Sequence, residues 1–213
     1  HDVTGWAERE DAVRTKLLTD PLTGLGNRTS IAERLWQAVH SAAPSGPRPA
    51  VILVDLDSFK SINDTHGHAI GDALLRTVAE RILATVGSDG SAARFGGDEF
   101  VILLDRTTEL GAIETAERIQ AALRLPVPID GVPEAGLTAS FGATMVEPGR
   151  RPESILAQAD AAMYRAKDAG RDRVVLFGPD LKDWSLTRKR EMESLAQTVQ
   201  QLREENEALL EAA

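Results

Sequence analysis

The chain has 213 residues, which is enough for one well-packed globular domain with extensions or for two small domains. Its 24 Lys and Arg against 33 Asp and Glu give a net charge of −9, which argues against a general nucleic-acid-binding protein. Any phosphate-bearing partner must therefore be bound locally, by a metal ion, a Gly-rich turn or a few Lys and Arg side chains. A hydrophobic content of 42% excludes wholesale disorder, and the absence of cysteine excludes a disulfide scaffold, a thiol nucleophile and a Cys-ligated zinc site.

Hydropathy and the first residue bear on where the chain works. No apolar run approaches the roughly 20 residues needed to cross a bilayer, so we expect no membrane contact within this chain. The lack of cysteine fits a reducing compartment, and we expect a cytoplasmic location. Because the chain begins at His1 rather than Met, we expect a fragment of a longer protein, with sensor or output domains outside it.

The hydropathy pattern predicts one α/β domain over about 20–178, between an N-terminal helix over 1–19 and a C-terminal helical segment over 179–213. The predicted helices of the domain cover about 28–43, 70–86, 107–125 and 152–169. The predicted strands cover 50–54, two short runs within 92–104 that form a hairpin around Gly96 and Gly97, 137–146 and 173–177. Turn-forming residues fill 20–28 and 44–49, and the segment around His66 and His68 is interpreted as a loop.

The C-terminal segment carries a heptad pattern. Its alternating a and d positions are Met192, Leu195, Val199, Leu202, Asn206, Leu209 and Ala213. An Asn at an a position favours a parallel two-stranded coil in fixed register, because an Asn that faces Leu or Ile is left unpaired. We therefore predict a coiled coil; the alternative is an amphipathic helix folded back on its own domain.

Two acids end the first predicted strand. Asp55 and Asp57 lie two positions apart, so both carboxylates leave the same side, while Leu56 points the opposite way and offers its backbone carbonyl. Mg²⁺ prefers oxygen ligands and commonly takes one or two carboxylates together with substrate phosphates. The pattern therefore indicates a cation site; the alternative is that either Asp caps the following turn.

The predicted hairpin carries two glycines followed by two acids. Gly96 and Gly97 supply the positive φ of a tight turn and let a ligand approach the backbone, and Asp98 and Glu99 follow directly at the tip. A plain turn with solvated acids is the alternative. Together with Asp55, however, these acids would repel one another unless a divalent cation neutralised them, which favours a functional site.

Polar residues between Phe59 and Asp72 suit a purine nucleotide. A carboxylate can accept from both the ring N–H and the exocyclic amine of guanine, a donor pair that adenine lacks, and an amide can serve another base edge. Asp72 and Asn63 suit those roles, and Lys60 suits a phosphate. In the alternative, Asn63 and Asp64 form a turn, Asp72 is a first-turn helix acid and Lys60 is solvated.

The remaining candidates are two histidines and a pair of cations. His66 and His68 have no third ligand nearby, so we do not expect zinc. Lys167 and Arg171 lie four positions apart and can both reach phosphate oxygens. The alternative is an ordinary helix end, with cations against the helix dipole and Gly170 as the stop.

Six ordered motifs cover about 20–178. They are Asp20-Pro-Leu-Thr-Gly-Leu-Gly-Asn-Arg28, Val54-Asp-Leu-Asp-Ser-Phe-Lys60, Ile62-Asn-Asp-Thr-His-Gly-His68, Gly71-Asp72, Arg94-Phe-Gly-Gly-Asp-Glu-Phe100, and Ala159-Asp-Ala-Ala-Met-Tyr-Arg-Ala-Lys167 through Gly170-Arg171. Together they resemble the bacterial GGDEF domain, the diguanylate cyclase family. The ordered set is very specific, whereas the four-letter hairpin alone would be weak.

The resemblance implies a nucleotide-cyclase-like α/β fold with a ferredoxin-like core, in which helices wrap a central, mostly antiparallel five-stranded sheet. It also implies the reaction of two GTP to cyclic di-GMP and two pyrophosphates. One domain binds one GTP, so two domains must meet face to face in a homodimer. The 1–19 helix and the 179–213 segment would set the distance and register of the two protomers.

The resemblance also assigns roles by position. It implies two Mg²⁺ or Mn²⁺ ions per half-site, with Asp55, Asp98 and the Leu56 carbonyl as their ligands. For guanine they are Asn63 and Asp72, with His68 also at the substrate. For the phosphates they are the backbone near Ser58 and Phe59 together with Lys60, Lys167 and Arg171. Asp98, Glu99 and Lys60 are the implied catalytic residues, with Glu99 assisting metal binding or proton removal, and Gly96 and Gly97 form the turn.

One stretch departs from the family pattern. Many members carry an Arg-x-x-Asp product-inhibition motif shortly before the hairpin, whereas this chain has Gly87-Ser-Asp-Gly90, so we predict little product inhibition through that site. Two other functions stay open at this point. One is an idle domain that binds GTP as a regulatory ligand or only dimerises, and the other is a cyclase that makes a single-ring product.

Overall fold

The computed structural model describes residues 17–43, 45–127 and 137–181. Its helices are α1 Arg28–Ser41, α2 Phe59–His66, α3 His68–Val86, α4 Glu109–Leu123 and α5 Pro152–Asp168. Its strands are β1 Arg48–Leu56, β2 Gly90–Gly96, β3 Glu99–Thr107, β4 Ala139–Met145 and β5 Val174–Leu176. A short 3₁₀ turn, Gly87–Asp89, joins α3 to β2.

The strands form one sheet in the order β2-β3-β1-β4-β5. All neighbouring pairs are antiparallel except β4 and β5, which are parallel. The central strand β1 therefore has β3 on one side and β4 on the other. This is the mostly antiparallel five-stranded sheet, flanked by helices, that the family resemblance implied.

Both faces of the sheet are covered, which explains the unbroken apolar run of β1. Ile52 and Val54 belong to a core with the apolar residues of α3 and α4, and Val51 and Leu53 belong to a second core with those of α1 and α5. Alternate residues of a strand point to opposite faces, so a central strand between two helical layers is apolar at every position. The four residues are at most 5% exposed.

Helix α5 approaches β4 closely because Gly142 has no side chain. A Cβ at this position would overlap the Ala159 carbonyl oxygen and the Met163 amide nitrogen of α5. The backbone of α5 thus rests almost directly on the sheet. This contact fixes the height of the helix whose last turn carries Lys167.

The segment around His66 and His68 corrects the sequence prediction of a loop. Residues Phe59–His66 form α2, and α3 begins at His68, so only Gly67 separates the two helices. Gly67 has a φ of 84°, and its amide donates to the Asn63 carbonyl, which ends α2. Phe59 is the buried residue of this eight-residue helix, so the segment has little apolar periodicity that could have predicted it.

The terminal predictions lie mostly outside the described residues. Of the helix predicted over 1–19, residues 17 and 18 are helical, and Thr19 bridges to Gly26. The chain divides into two compact units, His1–Phe177 and Gly178–Ala213. The structure describes only 178–181 of the second unit, and the heptad positions from Met192 onward fall outside it.

Candidate active site

The candidate site is built where β1 ends beside the β2–β3 turn. Asp55 is paired with Glu99 on β3 and with Ser140 on β4, and the Leu56 amide donates to the Asp98 carbonyl at 3.3 Å. Strand pairing therefore brings Asp55 next to two consecutive acids that lie more than forty positions later in the sequence. We call Asp55, Asp98 and Glu99 the acidic rim.

Asp55 lies in the most buried position of the rim. Its side chain is 13% exposed, and its Oδ2 lies 2.7 Å from Nζ of Lys167 in the last turn of α5. Burial raises the pKa of Asp55; the ion pair with Lys167 opposes this, and the charges of Asp98 and Asp57 add to it. The net upward direction means that the ion pair with Lys167 does not fully offset the effect of burial on the pKa of Asp55.

Ionisation of Glu99 is disfavoured for similar reasons. Burial raises its pKa first, and the Asp55 charge raises it further against the opposing effect of Lys167. The charges of Asp98 and Asp160 also push the pKa upward. Asp160 lies two turns before Lys167 on α5, and sequence reasoning gave it no role. The site therefore holds excess negative charge that an added cation would neutralise.

The donor set fits a hard divalent cation. Asp55 and Asp98 supply carboxylate oxygens, and Leu56 supplies a backbone carbonyl, which are ligands that Mg²⁺ and Mn²⁺ accept. Within the described residues, no three His, Asp or Glu side chains stand close enough to form a metal site by themselves. Such a cation would consequently take some of its ligands from the backbone, from water and from a substrate.

The hairpin tip is fixed by a residue that sequence reasoning left without a role. Arg94 donates from Nε and Nη2 to the Gly97 carbonyl at 2.9 and 2.7 Å, and its Nη1 lies 3.5 Å from Oδ2 of Asp20. Burial would raise the pKa of Asp20, but hydrogen bonds from Thr23 and the Arg94 charge outweigh it and lower that pKa. The turn that begins at Asp20 is thus connected to the turn that carries Asp98.

The predicted guanine ligands lie on adjacent helices. Asn63 is half-buried on α2, and a Cβ at Gly71 of α3 would overlap its Oδ1, so the Asn63 side chain lies against the residue before Asp72. The Asn63 Oδ1 is buried and has no hydrogen-bond partner within the described ranges. A buried amide oxygen without a partner is destabilising, which is the condition that a bound donor would relieve. Asp72 is the fifth residue of α3, so the first-turn alternative for it is wrong.

The start of α2 is suited to an anion. Ser58 has a φ of 59° and makes no side-chain cap, and Phe59 is buried as the first residue of the helix. The first amides of a helix have no partner within the helix and attract negative charge. Lys60 and His68 are exposed, and no hydrogen bond or ion pair joins either of them to the acidic rim in the part of the chain that is described.

The two acids at the end of β1 have different partners. Asp57 accepts from Ser140 Oγ at 2.8 Å and from the Asp172 amide at 3.1 Å, so both of its oxygens are used within the protein. Neither bond caps α2, so the capping alternative does not describe Asp57. The cation-binding pattern that the sequence indicated for both acids is left to Asp55.

The two cations at the end of α5 also differ. Lys167 is paired with Asp55, whereas Arg171 follows the helix in a left-handed conformation with a φ of 58° and is exposed. Gly170, with a φ of 106°, ends the helix as the simpler alternative expected. The helix-end geometry and a phosphate-binding role are therefore compatible.

A family model described as "Diguanylate cyclase, GGDEF domain" matches residues 17–173. The chain belongs to the GGDEF family. The match includes every element from α1 to α5 and all residues of the acidic rim.

Individual relatives of the chain support the same family assignment. The chain is 39% identical over 204 residues to an uncharacterized signaling protein of Caulobacter vibrioides, a match that covers 94% of this chain and 25% of that protein. It is 41% identical over 162 residues to the diguanylate cyclase DgcP of Pseudomonas aeruginosa, covering 76% of this chain and 24% of that protein. The chain thus spans about a quarter of the length of these relatives.

The fold agrees with solved GGDEF structures. The coiled coil and GGDEF domain of DgcB from Caulobacter crescentus, solved in complex with c-di-GMP, matches with a TM-score of 0.75 and 32% identity, covering 82% of this chain and 93% of that one. Among the described helices of this GGDEF chain, none combines the length and the hydropathy required to cross a membrane.

The stretch that departs from the GGDEF pattern is a short exposed turn. Gly87–Asp89 is the 3₁₀ turn, and Gly90 begins β2. A Cβ at Gly90 would overlap the Leu103 carbonyl oxygen, so the strand pairing leaves no room for a side chain there. The sequence prediction of little product inhibition through this stretch stays a prediction.

Proposed function

We propose that the chain is a diguanylate cyclase, which condenses two GTP into cyclic di-GMP and releases two pyrophosphates at the interface of a homodimer. The observation that carries the proposal is the acidic rim, where Asp55 and Glu99 have raised pKa values and Lys167 is the cation nearest to Asp55. A cluster of this kind is stable when it binds cations, and it is found where phosphoryl chemistry needs them.

Asp55, Asp98 and the Leu56 carbonyl would hold the metal, as two Mg²⁺ or Mn²⁺ ions per half-site. When bound, these ions polarise the α-phosphate of GTP and lower the pKa of the attacking 3′-hydroxyl. Glu99 lies beside Asp55 across the strand pair and would hold a metal or accept the hydroxyl proton. Lys167, which is paired with Asp55 in this structure, would be available to bind a phosphate when Asp55 holds a metal.

The helix pair α2 and α3 would bind the base. Asp72 would accept from the ring N–H and the exocyclic amine of guanine, and the unpartnered Asn63 Oδ1 would accept a further donor. His68, the first residue of α3, would also contact the substrate. Adenine presents no such donor pair to a carboxylate, so the arrangement selects GTP over ATP.

Three cations and one helix start would hold the phosphates. The backbone near Ser58 and Phe59 would offer the first amides of α2, and Lys60, Lys167 and Arg171 would supply positive charge. These groups stabilise the charge that develops as each 3′-hydroxyl attacks the α-phosphate of the other GTP. Because each domain holds one GTP, attack requires two copies of the chain in antiparallel contact.

The test is incubation of the chain with GTP and Mg²⁺, followed by chromatographic separation of the products. We expect cyclic di-GMP and pyrophosphate in a ratio of one to two. Asp98→Ala removes a metal ligand and several kcal/mol of transition-state stabilisation, so its rate should fall on the order of a hundredfold or more. Glu114→Ala, on the exposed outer side of α4, is the control and should keep the wild-type rate.

Other outcomes of this assay contradict the proposal in different ways. GTP that binds tightly and is never consumed would indicate the idle regulatory domain. A single-ring product would indicate a different cyclase. Equal rates for the wild-type chain and for Asp98→Ala would show that the turnover comes from a contaminant.

A further inference from the structure

The turn between α5 and β5 has an unusual backbone. Gly170, Arg171 and Asp172 have φ values of 106°, 58° and 47°, so three consecutive residues lie in the left-handed region. This conformation suits Gly and is tolerated by Asp, but it is unfavourable for Arg. Such a backbone persists only where the surrounding structure determines it, and it is concentrated at functional sites.

The main chain of this turn is held from the end of β1. The Asp172 amide donates to Asp57 Oδ2 at 3.1 Å, and Ser140 Oγ of β4 donates to Asp57 Oδ1 at 2.8 Å. Ser140 is fully buried, so it fixes the Asp57 carboxylate against the sheet. The Arg171 amide donates to the Ala166 carbonyl at 3.0 Å, which attaches the turn to α5 as well.

The side chain of the same turn is held from the end of α4. The Asp172 carboxylate accepts from Gln120 Nε2 at 3.1 Å and from Arg124, with Nε at 3.1 Å from both oxygens and Nη2 at 2.7 Å from Oδ2. Gln120 is 8% exposed, so its amide has few other partners to choose from. We call Asp57, Gln120, Arg124, Ser140 and Asp172 the Asp57 network.

The Asp57 network fixes the backbone of Arg171 but makes no bond to the Arg171 side chain. The guanidinium of Arg171 is exposed and makes no hydrogen bond or ion pair within the described residues. Its backbone lies between Lys167, which contacts the rim through Asp55, and Asp172, which is bonded to Asp57 two positions after Asp55. The Asp57 network thus fixes the backbone from which the unpaired Arg171 side chain extends, next to the acidic rim.

We infer that Asp57, Asp172 and Arg124 are positioning residues for nucleotide binding: they hold Arg171 beside the rim so that its guanidinium binds the phosphates. This inference rests on the proposed function, and it gives Asp57 a role distinct from metal binding. Because the backbone of this turn is already ordered, nucleotide binding costs less conformational entropy of the protein than it would if the turn had to be ordered on binding. The network therefore acts on the affinity for GTP through Arg171.

The first experiment compares GTP affinity and turnover in Arg171→Ala, Arg124→Ala and the double variant. Loss of a charge-assisted contact should raise the KM for GTP roughly tenfold in Arg171→Ala, and Arg124→Ala should raise it in the same direction. The double variant should be no worse than Arg171→Ala alone, because Arg124 acts through Arg171. Multiplied effects in the double variant would overturn the inference.

The matched control is Arg150→Ala. Arg150 donates from Nε and Nη2 to one oxygen of Glu147, and it lies beyond Met145, at the end of β4 opposite to Ser140. Its loss should leave the KM for GTP unchanged. An Arg124→Ala variant that behaves like Arg150→Ala, in a chain where Arg171→Ala weakens binding, would also overturn the inference.

The second experiment separates positioning from metal binding at Asp57. Asn can accept from the Asp172 amide and donate to Ser140 Oγ, so Asp57→Asn should keep the wild-type KM for GTP and the slow amide exchange of 170–172. Asp57→Ala should raise the KM and speed that exchange. If Asp57→Asn is as impaired as Asp57→Ala, the carboxylate charge is what matters, and the positioning role is wrong.

Further outcomes distinguish a failure of the proposed function from a failure of the positioning inference. A wild-type chain that binds GTP in a calorimetric titration but forms no cyclic product contradicts the proposed function, and the same titration of Arg124→Ala still decides the inference. A wild-type chain that does not bind GTP with Mg²⁺ overturns both. Amide exchange of 170–172 that is the same in Asp57→Ala as in the wild type overturns the Asp57 part alone.

Discussion

At the residue scale, the fold disfavours ionisation of two acids of the rim, Asp55 and Glu99. Burial raises the pKa of both; the Asp55 charge raises that of Glu99 further, and the charges of Asp98 and Asp57 raise that of Asp55. Lys167 offsets only part of this. Sites tuned for catalysis commonly destabilise the folded protein in the absence of ligand, and the raised pKa values of Asp55 and Glu99 predict this property for the acidic rim.

The sign of this effect gives a stability prediction for Glu99→Gln. A carboxyl whose pKa is raised by folding destabilises the native state when ionised, so the cost is full above the folded pKa and disappears as the pH falls toward the ordinary value of 4.5. Glu99→Gln should therefore raise the Tm at neutral pH, and this gain should vanish in acid. Thermal unfolding at several pH values measures it.

Glu114→Gln on the exposed side of α4 is the control, and it should leave the Tm unchanged at every pH. The activity of Glu99→Gln should fall while its Tm rises. A Tm that falls at neutral pH would mean that the Glu99 charge stabilises the fold, which contradicts the electrostatic account of the rim.

The sequence predicted the rim residues that stand in recognisable local motifs. The sequence placed Asp55, Asp98 and Glu99 together because a buried strand and a glycine hairpin each end in acids; their role in binding a metal stays a prediction. The Asp57 network was not found, since Asp57 is 83 positions from Ser140 and 115 positions from Asp172. A hydrogen bond between distant residues leaves no local pattern, and the role of Asp57 required the three-dimensional register.

At the element scale, local periodicity predicted the long helices and the strands but missed α2. Helix α2 buries only Phe59 and is followed after Gly67 by α3, so its polar letters resembled a loop. The difference bears on the proposed function, because it moves Asn63, the proposed guanine ligand, from a loop to a helix. Polar helices at binding sites are poorly predicted by apolar spacing for this physical reason.

The contact between α5 and β4 gives a prediction for Gly142→Ala. The added methyl group overlaps the α5 backbone at Ala159 and Met163, and overpacking of this kind costs about 1–3 kcal/mol. For a chain of this size that lowers the Tm by roughly 2–12 °C. Thermal unfolding measures the change.

The matched control for this contact is Gly178→Ala, where a Cβ would meet nothing within 4 Å and φ is not positive. Its Tm should stay within about 1 °C of the wild type, since surface substitutions usually change stability by less than ~0.5 kcal/mol. Equal Tm values for Gly142→Ala and Gly178→Ala would show that α5 can move away from the sheet at no cost.

At the scale of the whole molecule, the proposed function requires an acidic chain to bind an anionic substrate. The net charge of −9 repels GTP at long range, so binding would depend on local cations such as Lys167 and Arg171 and on the metal. The same repulsion would act between the two copies of the proposed dimer, and substrate-bound metal would reduce it at their contact face.

The proposed reaction needs two copies of the chain, which predicts a dependence on protein concentration. In the dilute range, where most chains are monomeric, the rate per chain should rise in proportion to chain concentration and then level off as dimers form. Initial rates at saturating GTP and Mg²⁺ over a hundredfold range of protein measure this. A rate per chain that is constant down to concentrations where sedimentation shows only monomers would contradict the face-to-face mechanism.

The heptad pattern of the C-terminal segment adds a proposal at the same scale. The segment would set the register of the two protomers through Asn206, as the sequence predicts. Asn206→Leu should then change the oligomeric state or lower the rate at a fixed protein concentration. Unchanged sedimentation and an unchanged rate would remove this role from the segment.

The central claim is that the acidic rim holds divalent cations that carry GTP. The most direct measurement is a crystal grown with Mn²⁺ and a non-hydrolysable GTP analogue, with data collected at the manganese absorption edge. The account predicts anomalous peaks bound by Asp55, Asp98 and the Leu56 carbonyl, in contact with the nucleotide phosphates. Bound nucleotide with no anomalous peak at these residues would contradict it.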